Sequence, residues 1–166
     1  WRDLFPELAE LGVFAALVEE AQGGVGASFS DVAAMVEQCG ASLVPGPIGE
    51  TVVATLALSV SIDPRAAAVR DTLVSGEVSA TVPTLTRAGG EAELVDGSID
   101  LGGVVGYVDG CVILAKIAGQ GLDPGWYVIP ADAGLRDVEP AASLDGRGSV
   151  GRLRISDLSV DDLLVV

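Results

Sequence analysis

Four groups of residues in this chain have types and spacing that could do chemistry. Gly23-Gly24-Val25-Gly26 has the composition of a loop whose backbone amides cradle phosphate. Such a loop must follow a strand, and a P-loop adds Gly-Lys-Ser/Thr. Here a helical segment precedes it and no lysine follows, so a tight interhelix turn is the favoured reading. Asp161 and Asp162 could be paired carboxylates. With Asp157 they read instead as a solvated acidic stretch, because no metal-ligand spacing involves them and the EF-hand pattern is missing. Trp126 and Tyr127 could form an aromatic platform, but neighbours on a strand face opposite ways, which favours core packing. Lys116, the only lysine, could be a perturbed base among Ile113, Leu114, Ile117 and Ala118; a strand lysine reaching solvent is the favoured reading.

The chemistry that is missing narrows the field further. There is no histidine, which removes Ser-His-Asp and Cys-His nucleophiles, HExxH zinc proteases and any imidazole acid–base step. Cys39 and Cys111 fit no CxxC pattern and read as reduced, buried small hydrophobes of a cytosolic protein, with a disulfide between them the less favoured alternative. Lys plus Arg is 9 against 24 Asp plus Glu, a net charge of -15. Nucleic acid and anionic membrane surfaces are poor partners for that sign. Hydrophobic residues make up 49%, too many for an acidic disordered chain, yet no apolar run approaches the ~20 residues of a membrane span. A chain of 166 residues suits one domain or two small ones and can bury roughly 70% of its unfolded surface. It begins at Trp1 and ends on Leu163-Leu164-Val165-Val166; both ends read as cut, which predicts a longer polypeptide.

The elements that must position these residues change character near Gly76. Before it the pattern is helical. Leu4, Leu8 and Leu11 share a face, with Gly12 at a helix C-terminus. Ser28 stands three residues before Asp31 as a capping-box variant. Phe29, Val32, Ala33 and Val36 follow at helical spacing, and Gly40 closes the helix. Pro47 opens a third helix through about Leu58, apolar on most sides and so expected to be buried. Asp63-Pro64 starts a fourth through Leu73. After Gly76, short β-branched runs alternate with turns. The expected strands are 78–85, 93–95, 98–101, 104–108, 111–118, 126–129 and 150–155. Asp96-Gly97 is a type I′ hairpin signal, and Asp123-Pro124-Gly125 and Asp145-Gly146 are further turns. The predicted fold class is α+β: an all-helical domain, 1–76, followed by an antiparallel β-barrel-like domain, 77–166. No residue set makes a complete active site.

In order and spacing these segments resemble the acyl-CoA dehydrogenase family over nearly the whole chain. Leu8 to Val13 and Val18-Glu19-Glu20-Ala21-Gln22-Gly23-Gly24-Val25-Gly26 look like the family's opening, a helix ending in Leu-Gly followed by Pro-Glu-Glu-Tyr-Gly-Gly-x-Gly. Val36-Glu37-Gln38-Cys39-Gly40, Leu43-Val44-Pro45-Gly46-Pro47 and Ser75-Gly76-Glu77 match later signatures, the last of them opening the β domain. Leu101-Gly102-Gly103 and Tyr107-Val108 match Leu-x-Gly-x-Lys-x-Trp/Phe-Ile. Trp126 to Ile129 and Asp145 to Arg147 fit later positions.

The resemblance implies a flavoprotein. Family members place FAD between the β domain and a C-terminal helical bundle, which this chain lacks, and oxidise an acyl-CoA thioester to the 2,3-enoyl-CoA. A glutamate base, usually in that bundle, removes the α proton while the hydride goes to the flavin. So no catalytic residue and no metal ligand is expected here. The cofactor-binding positions implied are Leu85, Thr86, Tyr107, Val108 and Asp109, with plain β-domain core as the alternative. An acyl-CoA substrate, electron-transfer flavoprotein as acceptor, a homo- or hetero-oligomer and a cytoplasmic location follow by the same resemblance. Some actinobacterial members act as heteromers on steroid-side-chain thioesters.

The departures from the pattern imply a weakened FAD half-site. Arg87 stands where the family has an acid after Leu-Thr, and Gly89-Gly90 replaces its Gly-Ser-Asp loop. Val105 replaces a lysine, and Asp109 a flavin-facing hydroxyl. Three readings follow: the front part of a catalytic dehydrogenase, a degenerate non-catalytic subunit of a heteromeric assembly, or an unrelated acidic α+β binding module. Without a covering bundle, the third helix and one β-domain face are expected to expose apolar surface and to need a partner.

Overall fold

The computed structural model describes residues 1–83, 91–101, 105–106, 108, 111–142 and 150–166. A 3-10 turn, Arg2–Leu4, runs into α1 (Phe5–Glu10), and α2 (Phe29–Ala41), α3 (Ile48–Val60) and α4 (Ala66–Val74) follow. The strands are β1 (Ala80–Thr81), β2 (Ala92–Val95), β3 (Ser98–Asp100), β4 (Val105–Gly106), β5 (Val112–Gly119), β6 (Leu122–Ile129), β7 (Leu135–Ala141), β8 (Val150–Ser156) and β9 (Leu164–Val165). Helices first and strands after Gly76 is the order the change of period predicts.

Helix starts follow the caps. Ser28 Oγ accepts the Asp31 N–H at 3.2 Å and donates to the Asp31 carboxylate at 2.6 Å. Asp63 Oδ1 accepts the Arg65 N–H at 2.9 Å just ahead of α4. Helix ends depart from expectation twice. Gly40 does not close α2; the helix runs to Ala41, and the left-handed exit falls on Leu43 at φ 55°. Helix α1 ends at Glu10, so Leu11 leaves the shared face and is 79% exposed before Gly12 turns the chain at φ 77°. On α2 the buried stripe is Val32 with half-buried Met35, Val36 and Cys39, while Phe29 and Ala33 face outward. Cys39 is thus only half-buried and Cys111 fully so, both as free thiols.

The strands run in the order β4-β8-β3-β2-β5-β6-β9, with β1 beside β5 and β7 beside β8. Most pairings are antiparallel. Two are parallel: β1 meets β5 at Val112 and Ile113, and β2 meets the same strand further on at Ile117 and Ala118. Asp96-Gly97 makes the expected β2–β3 turn, with both residues at positive φ. The β5–β6 turn lies elsewhere than expected. Gln120 and Gly121 form it at φ 45° and 80°, and Asp123-Pro124-Gly125 lies inside β6. The register slips between Ile117 and Gly119, so Pro124 sits at an irregularity where no ladder donor is required. Strand β7 has no counterpart in the sequence pattern. It alternates exposed and half-buried residues as far as Val138, contains Pro140 in its exposed end and, among the described residues, pairs with β8 alone, an edge position that tolerates proline. Asp145-Gly146 lies outside the described residues.

Strand β5 explains the layering. Ile113, Ala115 and Ile117 point into a barrel core with Ile99, Leu101, Ile129 and Leu153. Val112 and Leu114 point the other way, against Leu58 of α3 and Leu73 of α4. Burial on both faces is why the strand reads as a continuous apolar run. A third core, built on Phe5, Phe14 and Val52, joins the helices to one another. Helix α3 therefore has one side in two cores. Its other side is uncovered: Val53 and Val60 are exposed, as expected of the third helix without a covering bundle.

Candidate functional site

Of the five implied flavin positions, Leu85, Thr86, Tyr107 and Asp109 lie outside the described residues, as do Arg87, Gly89 and Gly90. Val108 is described. It is 3% exposed and belongs to the barrel core, so its side chain packs inward.

Strands β1 and β4 lead to these positions. Thr81, at the end of β1, donates from Oγ1 to the Gly106 carbonyl of β4 at 2.6 Å. Ala80, one residue earlier, donates its N–H to Thr51 Oγ1 of α3 at 3.1 Å. Thr51 in turn donates to the Pro47 carbonyl at 2.7 Å. One run of hydrogen bonds thus joins α3, β1 and β4. Neither threonine stood out in the sequence. Spacing alone gives no sign that a hydroxyl near a helix start will meet a strand 29 residues later.

Beside β1 the outward side of α3 makes one wall of a cleft. Val53, Leu56, Ala57 and Val60 face Val82, Leu114 and Trp126 across a space of about 300 Å³ whose lining is almost wholly apolar. Trp126 and Tyr127 do face opposite ways. Tyr127 is buried and donates to the Asp123 carbonyl at 2.8 Å, while Trp126 borders the cleft. The sequence signal for this cleft is the apolar surround of α3, which leaves apolar surface uncovered on the side away from the two cores.

The other candidate chemistry resolves into structure. Gly24 donates to the Glu19 carbonyl at 3.0 Å and Gly26 to the Val18 carbonyl at 2.8 Å, so these loop amides are used within the chain. Asp162 accepts the Ser159 N–H at 2.8 Å in a capping box. Lys116 pairs with Glu91 at 2.6 Å. Among the described residues no cluster of His, Cys, Asp or Glu could hold a metal ion, and no helix is long and apolar enough to cross a membrane.

The described cations are all engaged, which bears on any anionic ligand. Arg65 bonds Asp63 at 2.7 Å and the Leu163 carbonyl at 2.9 Å, pinning the α3–α4 turn to the residue that precedes the last strand. The Arg65 hydrogen bond holds the Asp63 carboxyl below its ordinary range, and the pair raises Arg65 in return. Arg70 pairs with Asp71, Arg152 with Glu139 and Arg154 with Asp100, and Arg2 lies over the Trp1 ring. Arg136 donates to the Cys111 and Pro130 carbonyls, and burial lowers its pKa.

No family model matches the chain. Acyl-CoA dehydrogenase FadE34 of Mycobacterium tuberculosis is 33% identical over 165 residues, covering 99% of this chain and 22% of that protein. The ChsE4–ChsE5 complex from Mycobacterium tuberculosis superposes with a TM-score of 0.75 at 23% identity, over 99% of this chain and 48% of that one. A variant of the Tcur3481–Tcur3483 steroid ACAD gives the same TM-score of 0.75 and 23% identity, over 99% and 47%. An acyl-CoA dehydrogenase from Bacillus anthracis complexed with FAD gives 0.66 at 20% identity, over 99% and 32%. The chain therefore spans less than half the length of these proteins, and at such identities the solved structures speak for the fold. Sequence kinship along 99% of its length, joined to the shared helical-then-β architecture, makes the chain a member of the acyl-CoA dehydrogenase family, corresponding to its N-terminal helical and middle β portions.

Proposed function

We propose that this chain supplies one half of the flavin and acyl-CoA site of a dehydrogenase that oxidises acyl-CoA thioesters to 2,3-enoyl-CoA. Residues 1–76 form its helical domain and 77–166 its β domain. The observation that carries this reading is the apolar cleft between α3 and the sheet. It is chemically suited to an acyl or steroid side chain, and it adjoins the strand that leads to Leu85 and Thr86.

The described residues suit only part of FAD. The chain approaches Tyr107 and Asp109 from β4 and Leu85 and Thr86 from β1, and a hydrogen bond joins these two strands. For the diphosphate, however, every described cation is already engaged, in a chain of net charge -15. Arg87 and Arg147, which lie outside the described residues, or groups outside this chain would have to meet those phosphates. When bound, FAD would supply the hydride-accepting chemistry; this chain would wall the acyl group and exclude water from it. The base that takes the α proton lies outside the chain. Cytoplasmic β-oxidation, with electron-transfer flavoprotein as acceptor, is the setting this reading implies. The complexes named among the structural neighbours support an oligomer, homomeric or heteromeric.

The engaged cations and inward-facing Val108 also favour a second reading, a non-catalytic subunit of a heteromeric assembly. Asp109→Thr in the full-length protein separates the two. A carboxylate beside a flavin that becomes anionic on reduction costs affinity, so the change should raise flavin occupancy, read from visible absorbance. Stoichiometric flavin in the wild type that falls on substitution would make Asp109 a working contact. A wild type that stays colourless with every partner present would leave the structural-subunit reading.

A further inference from the structure

We propose that Trp126 is a specificity-determining residue, the end stop that limits the size of the acyl group held in the cleft beside α3. This rests on the acyl-CoA reading above and goes beyond it by naming what bounds the group. Residues directly opposite on antiparallel strands share a face of the sheet. Leu114 lies opposite Val128, and Lys116 lies opposite Trp126 further along the same face. Leu114 and Val128 are buried against Leu58 of α3. In the next row the face changes character. Trp126 is 47% exposed and borders the cleft, while Lys116 beside it is bound to Glu91 at 2.6 Å. The indole is therefore the last apolar group of these two strands before an ion pair. An apolar chain lying along this face gains nothing by passing it, because it would have to desolvate that pair.

The cleft has little freedom to widen for a larger occupant, because α3 is tied to its surroundings near both ends. At one end Thr51 Oγ1 accepts the Ala80 N–H of β1. Just past the other, Ser61 Oγ donates to the Val165 carbonyl, and Arg65 donates to the Leu163 carbonyl. The far wall is held as well. Val166, another lining residue, donates its N–H to the Trp126 carbonyl at 3.1 Å. With the backbone of the walls fixed, side chains decide what fits. The lining is Val, Leu and Ala apart from Trp126, so the indole is its largest single piece. Its half-exposed position means that trimming it opens the cleft without emptying a core.

The test is calorimetric titration of the full-length protein, or its native complex, with 2,3-enoyl-CoA thioesters of short and of long straight acyl chain. These are products of the proposed reaction, so affinity is read without turnover. Trp126→Ala and Trp126→Phe are compared with wild type, and thermal midpoints are recorded alongside. Trp126→Ala is expected to weaken the short-chain thioester and strengthen the long-chain one. The ratio of their dissociation constants should move about tenfold toward the long chain, and at least about threefold. Trp126→Phe should shift it the same way by less, and carries the test if the Ala variant does not fold. A smaller shift in Ala, no shift in Phe, or a shift toward the short chain overturns the proposal while the dehydrogenase reading stands. A changed midpoint with an unchanged ratio makes Trp126 a packing residue and overturns it equally. Thioester binding without flavin bleaching counts against the dehydrogenase reading and leaves the ratio to judge Trp126. A wild type that binds neither thioester overturns both.

Discussion

A Cβ placed on Gly24 would stand 2.1 Å from the Val18 carbonyl oxygen, far inside any real contact. The glycine is there for close backbone approach, and its amide already bonds Glu19. Gly24→Ala should therefore cost about 3 kcal/mol, near the top of the usual range, in a denaturant melt. A loss below about 0.5 kcal/mol would mean the loop is free to move and could receive a ligand. Asp63 gives a pH test. Its carboxyl is depressed, chiefly by the Arg65 hydrogen bond, so its contribution is complete above the ordinary carboxylate value of about 3.9 and is lost as pH falls through the lower folded value. Wild type should exceed Asp63→Asn in stability by a constant margin from neutrality down to about pH 4, and the margin should vanish below that. A margin that grows on acidification would contradict the assignment. Ser28, Asp96-Gly97 and Gly76 were legible in the sequence because caps and left-handed turns are local chemistry. Arg65 and Arg136 were not, because their partners are backbone carbonyls distant in sequence or set by folding.

At the scale of elements, α3 is held to the sheet by Thr51. Its hydroxyl is fully buried, donates to Pro47 and receives the N–H of Ala80, itself fully buried. Thr51→Val keeps the shape and strands that N–H, which should cost about 2 kcal/mol and loosen exchange protection at Ala80. A neutral substitution, with Ala80 still protected, would show that another acceptor takes over. The strand pattern was read well where one face is core and the other is not, as in β2 and β8. It failed at β7, whose outward residues and Pro140 remove the apolar alternation, and at β6, whose Asp-Pro-Gly reads as a turn until pairing with β5 absorbs it. Of the site, the uncovered apolar face of α3 was legible in its composition, and Val108, one of the five implied flavin positions, packs in the core.

For the whole molecule, the cleft wall is the unbalanced surface. Val53, Val60, Ile62, Trp126 and Val165 are exposed around the outward side of α3 and the last strands, with Ile62 at 90% and Val60 at 66%. Patches of this kind on a single chain mark an interaction surface. The 166-residue chain alone should self-associate at micromolar concentration, and Val53→Asp with Val60→Asp should shift it toward monomer in light scattering. A monodisperse wild-type chain, unchanged by the aspartates, would show that this face needs no cover. The most direct measurement of the dehydrogenase reading is anaerobic visible spectroscopy of the full-length protein, purified with any partner that accompanies it. The expected result is an oxidised flavin band that bleaches when an acyl-CoA thioester is added. A protein that remains colourless with excess FAD, or carries flavin that no acyl-CoA thioester bleaches, would contradict it.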